Sequence, residues 1–312
     1  MKKAILLLNM GAPRNLEEVE LFLKNMFLDK YIIPAPLFVR KFLSWYITNK
    51  RKEEAKGNYK LLGGSSPIVK YTDSLIRKLE KRSGNKCFQI MRYTPPFASE
   101  IVPKLKEFEE IIAIPLYPHY SQTTTKSSVE DLIDVAKKEG IDNKIKVVEP
   151  YFDNIQYNEI VVKQIIDSLN GDSATEFDLI FSAHGLPQKI IDKGDLYQQH
   201  IEKNVEIASK LLTEKGVNFK NIHLAYQSRL GPMEWIKPYL DDKLKEVGKR
   251  VIIYPIAFLI DNSETEFELN IEYRHIAENL GITDYRVAKC PNDSDEFVSF
   301  LDIISKNFKG LK

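Results

Sequence analysis

Cysteine is nearly missing from this chain of 312 residues: Cys87 and Cys290 are the two it has, and they form no C-x-x-C spacing. A disulfide framework is thereby excluded, and no thiolate set for zinc or an iron–sulfur cluster is offered. Both thiols are expected to be reduced and partly buried, in a cytosolic setting. An excess of one charge is missing too. Lysine and arginine number 45 against 44 aspartates and glutamates, so nothing marks the whole chain as a nucleic-acid binder. No apolar run approaches the roughly 20 residues needed to span a bilayer. The N-terminal stretch Ala4-Ile5-Leu6-Leu7-Leu8 is shorter than a signal-peptide core, and Asn9-Met10-Gly11-Ala12-Pro13 is no A-x-A cleavage site. A first β-strand is expected there instead. Phosphate-binding glycine patterns are missing as well. No G-x-x-x-x-G-K-[ST] occurs and no G-x-G-x-x-G follows the first strand, which argues against ATP-driven and dehydrogenase chemistry. What is present, 43% hydrophobic and 29% charged residues, is ordinary for a soluble protein of one large domain or two of usual size.

Short apolar runs alternate with amphipathic stretches. Strands are expected at 4–9, 87–92, 110–117, 145–149, 178–183, 221–226, 251–257 and 285–289. Helical patterns lie at 16–27, 70–82, 98–109, 127–138, 156–169, 198–214, 233–246, 264–279 and 294–308. Such alternation calls for parallel sheets with helices on both faces. The strands divide near residue 150 into two sets of four. Ile111-Ile112-Ala113-Ile114-Pro115-Leu116-Tyr117 resembles Val251-Ile252-Ile253-Tyr254-Pro255-Ile256-Ala257, so the halves share a plan. The expectation is an α/β protein of two similar domains, 1–150 and 151–312, facing across a ligand cleft, with the last helix able to pack back on either. Residues 32–52 interrupt the alternation. Phe38, Phe42 and Trp45 recur there at helical spacing beside Leu37, Leu43 and Tyr46, with Arg40, Lys41, Lys50, Arg51 and Lys52 as the polar side. A core helix is one reading. The other is an excursion over the cleft, suited to a flat apolar ligand or an anionic membrane surface.

Two segments carry chemistry. Ser182-Ala183-His184-Gly185-Leu186-Pro187 directly follows the apolar run Phe177-Asp178-Leu179-Ile180-Phe181 and reads as a buried strand delivering a loop to a ligand site. His184 there can move protons near neutral pH or bind a transition metal, although a histidine held by loop hydrogen bonds is the plainer reading. After the strand 251–257, Glu264, Glu268 and Glu272 stand at i, i+4 and i+8. Asp261 or Ser263 can cap that helix, and a solvated acidic face would account for the run. However, Phe267, Leu269, Ile271 and Tyr273 require much of the helix to pack. A carboxylate row entering a cleft would bind a divalent cation or pass protons outward. If the strands before His184 and Glu264 are neighbours, imidazole and carboxylate converge in an open site of few ligands. Such a site suits transient holding of a first-row divalent metal.

These residues, taken with others, make the chain resemble the ferrochelatases, enzymes that insert Fe2+ into a porphyrin to make haem. The matching stretches run from Leu6-Leu7-Leu8-Asn9-Met10-Gly11-Ala12-Pro13 through Phe27-Leu28-Asp29-Lys30, Leu62-Gly63-Gly64-Ser65-Ser66-Pro67-Ile68 and Met91-Arg92-Tyr93 to Leu116-Tyr117-Pro118-His119-Tyr120-Ser121 with Thr123-Thr124-Thr125. They continue through Ser182–Pro187 into Lys193-Gly194-Asp195-Leu196-Tyr197, then Tyr226-Gln227-Ser228-Arg229-Leu230-Gly231-Pro232-Met233-Glu234-Trp235 and the Glu264–Glu272 helix. Each is weak alone; their number and order carry the resemblance. It implies two Rossmann-like domains with a porphyrin cleft between them. It implies His184 as active-site histidine and Glu264 as its partner, both touching the metal, with Asp261, Glu268 and Glu272 as the relay leading away. It places Met10, Arg92, Tyr93, Ser121, Ser228, Arg229 and Trp235 among the porphyrin-binding segments, and residues 32–52 as a lip meeting membrane-associated porphyrin.

There are departures. Asn262 stands where many members have a second histidine, and Pro95 replaces a histidine in the Arg-Tyr-x-His-Pro pattern. Lys126 and Ser65 replace glycines, and His119 a glutamine. No cysteine-rich tail is present, so no iron–sulfur cluster is expected. The implied activity is insertion of Fe2+ into protoporphyrin IX with release of two protons, without ATP. No cofactor is permanently bound, and iron is a substrate. The expected partners are porphyrin and Fe2+, not nucleic acid. The setting is cytoplasmic, with peripheral contact at the inner membrane face through the 32–52 lip, and a monomer is favoured. The competing readings are a chelatase for another tetrapyrrole or metal, such as coproporphyrin III or cobalt, and a non-catalytic porphyrin carrier. The five histidines and Asn262 argue against a cobalt chelatase built on several histidines.

Overall fold

The computed structural model describes residues 2–307, apart from Leu230 and Pro232. Among the described residues the chain forms two compact units, each built on a four-stranded parallel sheet.

In the first unit β1 (Lys3–Asn9) is followed by α1 (Glu18–Leu28), α2 (Leu37–Leu61), α3 (Pro67–Ser83), β2 (Lys86–Met91), α4 (Ala98–Ile101), β3 (Glu110–Pro115), α5 (Ser127–Glu139) and β4 (Ile145–Val147). The sheet order is β2-β1-β3-β4. In β1 the residues Ala4 to Leu8 are all buried, the unbroken apolar run of a strand covered on both faces. The core joins Leu6, Leu8, Ile111 and Ala113 of the strands to Val102, Leu105, Leu132 and Ala136.

The second unit repeats the plan. It runs α6 (Ile155–Ser168), β5 (Asp178–His184), α7 (Gln188–Asp192), α8 (Tyr197–Glu214), β6 (Asn221–Gln227), α9 (Leu240–Lys243), β7 (Arg250–Pro255), a π-helix (Glu264–Tyr273), α10 (Arg274–Asn279) and β8 (Asp284–Val287). Its sheet order, β6-β5-β7-β8, matches the first. In each sheet the chain order reverses between the two central strands. Beyond the carboxyl ends at such a switch point, the connecting loops diverge and leave room for a ligand. In the second unit that point lies between β5 and β7.

All eight expected strands form. The division is not a single cut at residue 150, however. Pro118–Tyr120 belongs with the second unit: His119 Nε2 lies 2.9 Å from Asn204 Oδ1, and the Tyr120 amide donates to His200 Nδ1 at 3.1 Å. The chain from Asp293 with α11 (Asp295–Lys306) belongs with the first, where α11 packs on α3. Ser74 Oγ donates to Asp293 Oδ2 at 2.5 Å and Arg82 to Ser299 Oγ at 2.7 Å. Two helices are shorter than their hydrophobic pattern. Of 233–246 only α9 is helical, because Pro238 lacks an N–H and cannot sit in a helix interior. Of 98–109, α4 passes into a tighter 3₁₀ turn at Val102–Leu105, which contains Pro103.

Residues 32–52 fall largely in α2, a helix of 25 residues. One face packs on α1, with Tyr59, Ile47 and Ala55 against Val19, Leu23 and Phe27. The other leaves Leu37, Phe38, Phe42, Trp45 and Tyr46 exposed, Phe38 by 75%. This is not a core helix. No described helix is long and apolar enough to cross a membrane.

Candidate active site

The last residues of β5 build one side of the site. Ser182 Oγ donates to Gln227 Oε1 at 2.7 Å, and the Gly185 N–H donates to the Gln227 carbonyl at 2.8 Å, locking the end of β5 to the end of β6. Gly185 has to be glycine: a Cβ there would lie 2.8 Å from the Gln227 carbonyl oxygen and 3.4 Å from the Trp235 ring. The His184 carbonyl accepts the Tyr197 hydroxyl at 2.9 Å. The imidazole is thus anchored at its backbone, with about a third of the side chain (35%) exposed.

The segment after β7 builds the other side. Neither Asp261 nor Ser263 caps the helix. Asn262 does, its Oδ1 accepting the Glu264 N–H at 2.7 Å while its Nδ2 donates to the Ile260 carbonyl at 3.1 Å. From Glu264 the backbone winds as a π-helix, a wide helix that recurs at functional sites. Because β5 and β7 are neighbours, Glu264 meets His184, with Oε2 2.7 Å from Nδ1. Nδ1 then serves as donor, and the neutral ring carries its lone pair on Nε2. Burial works against the imidazolium, but the Glu264 carboxylate, by charge and hydrogen bond, outweighs it and holds the His184 pKa above its ordinary value.

Glu268 lies one turn on. Its Oε2 accepts the Ser228 hydroxyl at 2.5 Å and the Gln227 amide at 3.4 Å. Burial, reinforced by the Glu264 charge, pushes Glu268 up to about 7. Glu272, the third of the row, is exposed. The row therefore runs from half-buried to solvent. Asp261 is placed differently. It is buried, with Oδ2 accepting Asn292 Nδ2 at 2.7 Å and Oδ1 accepting the Cys290 N–H at 3.3 Å, so its carboxylate clamps the 290–292 loop.

The residues expected at the porphyrin sort by exposure. Trp235 is buried beside the Gly185 turn, pairing with Pro187 in an isolated bridge. Arg229 is exposed, with Nη2 2.7 Å from Asp241 Oδ2 and its guanidinium 4.4 Å from the Tyr239 ring centroid. In the first unit Met10 is half-buried, and its carbonyl accepts the Tyr93 N–H at 2.9 Å. Arg92 donates to Ser127 Oγ at 2.9 Å and pairs with Asp29 at 3.3 Å and Asp131 at 3.6 Å. Tyr93 is fully buried with its hydroxyl on Asp29 at 2.9 Å. Ser121 is buried and accepts the Thr123 N–H at 3.1 Å. Three contributors, Gln227, Tyr197 and the hydroxyl of Ser182, lay within matched stretches but were assigned no role from the sequence. A glutamine ending the apolar run of β6 was the one available clue. Among the described residues no group of three or more His, Cys, Asp or Glu side chains is arranged to hold a metal ion.

A family model described as Ferrochelatase matches residues 2–307. The ferrochelatase of a Nitratiruptor species is 51% identical over 304 residues, covering 96% of this chain and 97% of that one. The ferrochelatase of Sulfurimonas denitrificans is 50% identical over 312 residues, covering 98% and 99%. Among solved structures, SirB from Bacillus subtilis with Fe3+ superposes with a TM-score of 0.58 at 12% identity, over 97% of this chain and 94% of that one. CbiX, the terminal enzyme for biosynthesis of siroheme in denitrifying bacteria, gives 0.55 at 10% identity, over 97% of both chains. At such identities the structural likeness speaks for the fold.

Proposed function

Because this chain belongs to the ferrochelatase family and is therefore a metal-inserting lyase, we propose that it inserts Fe2+ into protoporphyrin IX, releasing two protons and consuming no ATP. The observation that carries the proposal is the His184–Glu264 pair, 2.7 Å apart at the switch point of the second sheet.

A free porphyrin is flat and protonated on two of its four inner nitrogens. Metal insertion requires a pyrrole lone pair to turn toward the metal and both protons to leave. Binding at the ring edges supplies the energy that bends the macrocycle. His184 takes a pyrrole proton at Nε2 as general base. The charge that develops on the imidazole is met by Glu264, which can take the Nδ1 proton in turn. Glu268 and Glu272 carry protons outward, a route supported by the change from half-buried to exposed along the row. Fe2+ enters as substrate, with His184 and Glu264 as transient ligands, and no resident cofactor is required. On the second unit the exposed Arg229 is available to the porphyrin. Trp235, Tyr93 and Ser121 act from behind the surface, as their burial requires. We place Asp261 outside the relay, since loop residues occupy both its oxygens.

The exposed aromatic face of α2, bordered by Arg40, Lys41, Lys50, Arg51 and Lys52, supports peripheral contact with an anionic membrane from which an apolar porphyrin is drawn. The protein acts as a monomer in the cytoplasm and at that surface.

The test is anaerobic incubation of the purified protein with Fe2+ and either protoporphyrin IX or coproporphyrin III, without ATP, beside His184→Ala. Haem formation from protoporphyrin, with a loss of at least about a hundredfold in kcat in the variant, is the expected result. Turnover of coproporphyrin alone would move the substrate assignment. Binding without turnover would make the chain a carrier. Equal rates in both proteins would remove His184 as the base.

A further inference from the structure

Among the described residues three that are not glycine have a positive φ: Asn170, Asn292 and Ser228, the last at +67°. Asparagine tolerates that region because its short amide bonds locally, whereas serine has less to gain there. The conformation puts Ser228 Oγ 2.5 Å from Glu268 Oε2 and 3.5 Å from Glu264 Oε2. That same Glu264 oxygen lies 2.7 Å from His184 Nδ1. A hydroxyl carries one proton and two lone pairs, so it can accept on one side while donating on the other. Between two carboxylates it is the smallest group able to do both. Gln227, the preceding residue, also turns its amide to Glu268 Oε2, at 3.4 Å, and holds the receiving oxygen in place. Its own Oε1 is fixed by Ser182.

We propose that Ser228, expected from family resemblance to contact porphyrin, is instead the hydroxyl bridge by which a proton leaves Glu264 for Glu268. The inference rests on the proton route proposed above. In the step, the proton on the Glu264 carboxyl passes to Ser228 Oγ as the hydroxyl's own proton passes to Glu268 Oε2. One O–H bond breaks and one forms at Ser228, and the net change is one proton moved. Rotation about Cβ–Oγ resets the hydroxyl. Ser228 touches neither substrate nor metal in this scheme; it acts through the two carboxylates.

Two variants separate a relay from a structural role because they remove the same hydroxyl with opposite effects on stability. Ser228→Ala keeps a Cβ at positive φ and its strain, while Ser228→Gly relieves it. For the full chain, the expected result is a kcat lowered about tenfold or more in both variants. KM for protoporphyrin IX should stay within about twofold, and Tm should be higher for the glycine variant than for the alanine variant. The solvent deuterium effect on kcat should rise in both, because a less ordered water replaces the hydroxyl. Retention of kcat in both variants, with an active wild type, overturns the relay. So does a kcat that follows Tm, with glycine active and alanine not, and so does a rise in KM at constant kcat, which would return Ser228 to the porphyrin. An inactive wild type would instead sink the proposed function itself.

Discussion

Gly185 and Asn262 set the 2.7 Å approach of His184 to Glu264 from opposite sides. At Gly185 the missing side chain lets the Gln227 carbonyl come within hydrogen-bond distance of the backbone, so Gly185→Ala forces the loop away from β6. The substitution should cost about 1–3 kcal/mol, as overpacking does, and lower kcat because His184 moves with the loop. Thermal unfolding and steady-state rates measured together check this, and an unchanged Tm would refute it. Asn262 shows what a departure from the family pattern can mean. Its amide builds the turn that presents Glu264, work that suits a short side chain with both a donor and an acceptor. His184 and Glu264 were legible because strand-end histidines and spaced carboxylates are chemistry written in residue type. The Ser228 hydroxyl was not, since a serine in a loop carries no mark of a +67° backbone or of the two carboxylates it faces.

At the scale of elements, the short segment Pro118–Tyr120 and helix α8 brace the end of β5. His119 stacks at 6.1 Å on Phe152 and meets the Tyr197 ring edge-on at the same separation, and the Tyr197 hydroxyl holds the His184 carbonyl. His119 bonds to Asn204, which bonds to Asn158 at 2.7 Å, so the brace is polar yet uncharged. Burial drives the His119 pKa down to about 3, against the Asn204 hydrogen bond, which favours the charged ring, and with a small push in the same direction from His200. The unfolded chain keeps an ordinary histidine near about 6.5. Above that pH both states are neutral and nothing is lost. Below it the unfolded state takes a proton the folded state refuses, so stability falls by about 1.4 kcal/mol per pH unit until the folded pKa is reached. Denaturant titrations between pH 7 and pH 4 should show this loss, and His119→Gln, which cannot titrate, should flatten it. An equal slope in both proteins would show that other groups carry the acid sensitivity. The periodicity of the 264–279 segment pointed to a helix, and a helix forms. Its wide π-helical first part, which puts Glu264 and Glu268 on either side of one hydroxyl, has no separate signature in apolar spacing.

For the whole molecule, near-neutral charge hides an uneven distribution. The net charge is +1, yet α2, the helix with the uncovered aromatic face, holds Arg40, Lys41, Lys50, Arg51, Lys52, Lys56 and Lys60 against only Glu53 and Glu54. Phe42→Ser with Trp45→Ser should weaken sedimentation with vesicles rich in phosphatidylserine by at least about tenfold. The Tm should change little, since both side chains are about 61% exposed and bury little apolar area. Equal sedimentation of wild type and variant would dismiss the contact. The two units share one strand order, and both carry a π-helical segment after the third strand, at Gln122–Lys126 and Glu264–Tyr273. Only the second has carboxylates in a row there, and only it presents a histidine at the end of its first strand.

The sequence by itself determined the α/β class, the number and place of the strands, the family, and the His184–Glu264 pair. Apolar runs, chain order and residue type hold that information locally. Tertiary structure decided what depends on approach through space: that the Asp261 carboxylate bonds the 290–292 loop, that α11 and Pro118–Tyr120 change units, that Arg92 is bound by two aspartates, and that Ser228 stands between two carboxylates. Hydrogen bonds join partners 29 to 98 positions apart in these clusters, and no local pattern specifies a partner at that separation.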